Sequence, residues 1–160
     1  MAPSAPPKSL KARAVALLAR REHSRAELER KLSADASADE AHPRQLAEVL
    51  DDLAARGLLD DRRAAEAVLA GRSQRFGGRR LRQELQSRGL DPELVAPSLQ
   101  VLADDEFARA RTIWQRRFGT AAPAGLEGAR ERARQARFLI GRGFSPEVVR
   151  RVVQGLDDDA

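Results

Sequence analysis

Two histidines, His23 and His42, and three acidic doublets, Asp51/Asp52, Asp60/Asp61 and Asp104/Asp105, are the residues of this chain best suited to chemistry. A histidine can shuttle a proton near neutral pH or hold a metal, and paired carboxylates can hold a divalent cation. Neither arrangement is assembled here. The histidines stand nineteen residues apart, outside any ligand or triad spacing, and both are expected at the surface. The doublets at 60–61 and 104–105 precede apolar-periodic stretches, where carboxylates cap a helix and meet the positive end of its dipole. "FGG" at 76–78 opens a helix but lacks the lysine and hydroxyl of a phosphate-binding loop. The chain has no cysteine, which excludes disulfides and thiolate metal sites. No catalysis, cofactor or metal is expected.

The arginines carry more information. The net charge is +5, and within 107–151 eleven arginines face only three glutamates. In "EGARERARQARFLIG" a 3.6-residue period gathers Arg130, Arg134 and Arg137 on one helix face, with Ala129, Ala133, Ala136 and Ile140 on another. Like charges at that spacing repel by a few tenths of a kcal/mol per pair. Arg79 and Arg82 share the face opposite Leu81 and Leu85, Arg72 and Arg75 lie just upstream, and Arg116 and Arg117 close a later helix. These nine arginines are the expected contact residues for a polyanion or an acidic protein surface. Only three of the basic residues are lysine, so an arginine-rich genome producing a merely solvated face is the competing explanation. Phe76, Trp114 and Phe118 stand near the arginines, but their helical spacing assigns them to core packing and gives no support for base stacking.

Helices must position these side chains, because strand signals are nearly absent. Tyrosine is missing and no stretch alternates apolar and polar residues for long. Ser24 followed by Glu27 is a capping box, with Leu28 and Leu32 one turn apart behind it. "RGLDPELVAPSLQVL" (88–102) returns as "RGFSPEVVRRVVQGL" (142–156): a glycine stop, a Ser or Asp cap, a proline in the first turn, and an apolar stripe. A fainter third copy places Leu28 on Leu81 and Leu32 on Leu85. The spacing predicts nine helices in three tandem three-helix repeats, an all-α fold forming an elongated, curved array. The expected boundaries are a flexible tail at 1–9, repeats at 10–59, 60–103 and 104–156, and an acidic tail at 157–160. The longest early apolar run, Ala14 to Ala19, is too short to span a bilayer, and a cytoplasmic monomer is expected.

Four motifs, "LLARREHSRAELERKL" (17–32), "VLDDLAARGLLDD" (49–61), "RRLRQELQSRGL" (79–90) and "RFLIGRGFSPEVVRRVV" (137–153), resemble those of the bacterial RecX regulatory family, in order and in all three repeats. The resemblance implies tandem three-helix repeats and no catalytic activity. It also implies binding along the groove of the RecA filament, with inhibition of strand exchange, ATP hydrolysis and co-protease activity; some members bind DNA. Ala64 replaces the family's usual aromatic, and a glycine usual after "KL" is missing. Two other readings of the arginine face remain: a module that binds single- or double-stranded DNA by itself, and a helical scaffold for an unrelated acidic partner.

Overall fold

The structure, a computed structural model, describes residues 9–34 and 42–155. Apart from Ser9, the expected tails lie outside the described residues, as does most of the polar connection after Leu32. Nine α-helices and no strand occur among the described residues. They are α1 (Leu10–Leu18), α2 (Arg25–Ser33), α3 (His42–Ala55), α4 (Asp61–Arg72), α5 (Gly78–Ser87), α6 (Pro92–Asp104), α7 (Glu106–Phe118), α8 (Gly125–Gly141) and α9 (Pro146–Gln154).

Local signals set most helix ends. Ser24 accepts from the Glu27 amide while Glu27 reaches back to the Ser24 amide. Asp91 and Ser145 cap α6 and α9, each followed by proline at the first helical position. Gly89 and Gly143 hold φ at +69° and +87°, the left-handed backbone that ends a helix without a Cβ clash. The acidic doublets divide their work differently from expectation. Asp60 caps α4 through the Arg63 amide, but Asp61 accepts instead from the amide of Arg25 at 2.8 Å, at the start of α2. Asp105 sits between α6 and α7 without a side-chain capping bond.

The chain divides into two compact units: Met1–Ala67 with Arg88–Leu90, and Val68–Ser87 with Asp91–Ala160. In the first, Ala14, Leu28, Leu32, Leu46, Leu50, Leu53 and Leu59 form the core. Each fully buried leucine contributes about 1.5–3 kcal/mol. In the second, Phe107, Ala110, Trp114, Leu139, Phe144 and three valines of α9 pack together. The Trp114 indole donates to the buried Gln135 amide oxygen at 2.8 Å. The bond lies on the inward side of α8: Gly128, Gln135 and Leu139 are buried, while Ala129 and Ala133 are exposed and Ile140 is 40% exposed.

Candidate functional site

The first unit contains a joint built around a carboxylate, Glu27, that takes up two arginines. The Ser24 hydroxyl donates to the carbonyl of Arg88, tying the start of α2 to the Arg88–Leu90 turn. Glu27 accepts from the Ser24 amide at 2.9 Å, from Arg21 at 2.8 Å and from Arg88 at 3.4 Å. Burial alone would raise its carboxyl pKa. The Arg21 and Ser24 hydrogen bonds, with the charges of Arg21 and Arg88, hold it below the ordinary value instead. Beside it His23 is 2% exposed, which corrects the surface position expected from sequence. Its Nδ1–H donates to the Arg21 carbonyl at 3.0 Å, leaving Nε2 to accept from the Lys31 ammonium at 3.4 Å. Burial pushes its pKa down, and the neighbouring Arg21 and Lys31 charges add to the effect. The ring is a neutral, hydrogen-bonded core group.

The second unit repeats this joint with other chemistry. Pairing Leu28 with Leu81 sets Ser24 on Gly77, His23 on Phe76 and Glu27 on Arg80, while the turn repeat sets Arg88 on Arg142. The linkage survives: where the Ser24 hydroxyl bonds the Arg88 carbonyl, the Gly77 amide bonds the Arg142 carbonyl at 2.9 Å. A Cβ at Gly77 would lie 2.3–2.4 Å from the backbone of Gly143 and Phe144, so no other residue fits. The Arg79 amide donates to the Gly143 carbonyl at 3.1 Å. The carboxylate is gone.

Phe76 in this joint is half-buried and ringed by guanidinium groups, and so is not the core residue its spacing suggested. Arg72, Arg75, Arg80 and Arg142 lie 5.9, 5.8, 5.0 and 5.9 Å from its ring centroid. Each cation gains about 0.5–1 kcal/mol from an exposed ring face. Like charges gathered around one ring also repel one another, the more so where water is excluded. Glu84 pairs with Arg72 at 3.2 Å, and Arg142 donates to the Arg75 carbonyl at 3.1 Å while stacking over Phe138 at 4.9 Å. An open groove of about 260 Å³ adjoins the cluster, bringing Arg116 and Arg117 beside Arg75 and Arg142 with no carboxylate in its lining. On the other side Arg72 and Arg80 border a shallow depression with Gln83, Glu84 and Ser87.

A buried arginine holds this presentation in place. Arg109 of α7 donates to the carbonyls of Ser73 (2.7 Å), Phe76 (2.9 Å) and Leu102 (2.7 Å), pinning the loop that carries Arg75 and Phe76. Burial lowers its pKa, against the attraction of Glu106 and Asp105. Glu106 in turn caps α5 by accepting from the Gly78 amide at 3.1 Å.

Of the nine arginines singled out from sequence, Arg72, Arg75, Arg116 and Arg117 are gathered around this joint. Arg79 and Arg82 are exposed on α5. On α8, Arg134 is held by Glu131 through two bonds of 2.8 and 2.9 Å and stacks over Phe118. Arg130 and Arg137 are exposed, with no carboxylate partner among the described residues. Arg80 and Arg142 were not singled out, although aligning the repeats shows an arginine where Glu27 stands. Among the described residues no cluster of three or more His, Cys, Asp or Glu side chains could hold a metal. No helix among them is long and apolar enough to cross a membrane. The arrangement can bind an anion and offers no nucleophile or acid–base pair.

Comparison with known proteins agrees with this fold. Residues 60–99 match the family model described as RecX, second three-helix domain, and residues 104–153 match RecX, third three-helix domain. The chain is 48% identical to Regulatory protein RecX of Leptothrix cholodnii over 159 residues, covering 99% of this chain and 96% of that protein. It is 45% identical to the protein of that name from Ralstonia nicotianae (94% and 90% covered), and 42% identical to that of Chromobacterium violaceum (95% and 93%). The crystal structure of RecX from Lactobacillus salivarius superposes with a TM-score of 0.74 over 92% of this chain and 94% of that one, at 19% identity.

Proposed function

Since this chain belongs to the RecX family of regulatory proteins, we propose that it acts without chemistry of its own, by docking on the RecA–DNA filament and inhibiting its recombinase, ATPase and co-protease activities. One observation carries the choice of docking face: where Glu27 takes up two arginines in the first unit, the second has an arginine at the same position, Arg80, beside Phe76 and three further guanidinium groups. Four guanidinium groups held together against their own repulsion are stabilised when an anion arrives, either filament carboxylates or DNA phosphates. Arg116 and Arg117 extend that surface.

The test is RecA ATPase on single-stranded DNA, titrated with the purified protein. Suppression near stoichiometric ratios supports the reading. Full ATPase at roughly tenfold excess overturns it, since saturating occupancy would then have no effect.

The same cluster favours a second reading, direct DNA binding. Phosphate contacts release counterions, so affinity would fall steeply with salt, with a slope near −0.9 per phosphate neutralised on duplex DNA. Binding to DNA without RecA, weakened by Arg75→Glu and Arg142→Glu, distinguishes this from recognition of filament carboxylates.

A further inference from the structure

Two grooves in the second unit, one between α5 and α6 and one between α8 and α9, have volumes of about 320 and 330 Å³ and are built from equivalent positions. Shifting the first by fifty-four residues places Pro92 on Pro146, Val95 on Val149, Leu99 on Val153 and Gln100 on Gln154. On the facing helix Arg82 falls on Ala136 and Gln86 on Ile140. So one groove exists twice. Its floor is aliphatic, formed by residues 2–7% exposed, and no carboxylate lines either copy. Arginine borders each copy, at positions that are not equivalent: Arg82 in the first, Arg132 and Arg150 in the second.

Much of what the two copies share is explained by folding, through glycine stops, caps, first-turn prolines and buried valines. The glutamine is not. Gln100 and Gln154 are both exposed; Gln100 has one contact, at 3.5 Å to Asp104, and no bond is described for Gln154. An exposed polar residue kept at the lip of an apolar groove in both copies has no role in packing.

We propose that these grooves are a duplicated docking site for one type of partner segment, an amphipathic helix with apolar residues at i, i+4 and carboxylates on its flanks. The aliphatic floor takes the apolar stripe, as helix-in-groove recognition does elsewhere. The arginine rims, with no carboxylate in the groove linings, select acidic flanks over basic ones. The glutamine donates to the segment's backbone or side chains at the lip. The α8/α9 copy is the tighter one, because Ala136 and Ile140 replace Arg82 and Gln86 on its wall. A partner that displays the segment more than once gains from both sites together, by effective concentration.

The site is separate from the Phe76 cluster, and its test needs neither RecA nor DNA. The probe is a synthetic helical peptide with leucines at i, i+4 and i+7 and glutamates elsewhere, titrated into the full chain by calorimetry. Two sites are expected, with affinity falling as salt rises. Ile140→Glu should remove the tighter site and Ala96→Glu the weaker, leaving helicity by circular dichroism unchanged. A tandem peptide with a flexible linker should bind on the order of 10²-fold more tightly than a single copy. Absence of binding, equal binding of a peptide with lysines for glutamates, or two sites surviving in both variants would each overturn the proposal. So would a dimer of this chain dissolved by Ile140→Glu, which would make a second copy the occupant. A failed ATPase test alongside successful peptide binding would sink the filament reading alone.

Discussion

Glu27 and Arg80 occupy one position in two copies of the same joint, the first accepting from Arg21 at 2.8 Å and Arg88 at 3.4 Å, the second 5.0 Å from a Phe76 ring shared with three more arginines. The equivalent turn carbonyl is bonded in both copies, by the Ser24 hydroxyl in one and the Gly77 amide in the other, so folding does not demand an arginine at position 80. Arg80→Glu is expected to leave stability unchanged or raise it by about 0.5 kcal/mol, because it relieves exposed like-charge repulsion. Glu27→Ala removes half of a capping box and strips two arginines of their partner, and is expected to cost about 2 kcal/mol. Urea unfolding of the two variants measures both.

Stability should fall on acidification in two stages, each traceable to this first joint. Burial holds the His23 pKa below its unfolded value of 6.5, so the unfolded chain takes up a proton that the folded one refuses. That stabilisation is complete above pH 6.5 and is lost as pH drops below it. Glu27, held below its unfolded value of 4.5, contributes above that pH and loses its contribution as pH falls through its folded pKa. The unfolding midpoint of His23→Phe, which installs the residue found at position 76, should change less than wild type as pH falls below 6.5. An unchanged slope would remove His23 from the account.

Arg109→Met leaves the carbonyls of Ser73, Phe76 and Leu102 without their donor. Unpaired buried acceptors cost about 1–3 kcal/mol each, so a total loss of about 3 kcal/mol is expected, with faster amide exchange in the 73–77 loop. Arg109→Lys should rescue little, because one ammonium does not reproduce the guanidinium fork. Hydrogen exchange read residue by residue separates this local release from general destabilisation.

What the sequence revealed divides along the range of the interactions involved. The capping box at Ser24, the glycine stops at 89 and 143 and the first-turn prolines act within one turn, and their residue types announce them. His23 is buried next to Ser24, whose hydroxyl bonds the carbonyl of Arg88 sixty-four residues downstream. Arg109 looks like any helix-surface arginine until its three carbonyl acceptors converge. On α8 the 3.6-residue period puts arginines and alanines on different faces, but Ala129, Ala133 and Ile140 are exposed as Arg130, Arg134 and Arg137 are. The inward face, however, carries Gly128, Gln135 and Leu139, and the burial of Gln135 against Trp114 is not signalled by hydrophobicity. The Phe76 cluster is partly legible: Arg72, Arg75 and Arg80 are its neighbours in sequence, while Arg142 joins them across the Gly77–Arg142 backbone contact.

The most direct test of the central claim is the affinity of Arg80→Glu for RecA filaments on single-stranded DNA, read by fluorescence anisotropy beside its unfolding curve. If the cationic joint is the docking face, affinity falls at least roughly tenfold, equivalent to about 1.4 kcal/mol, while the fold is as stable as before. Wild-type affinity in an equally stable variant would contradict the claim.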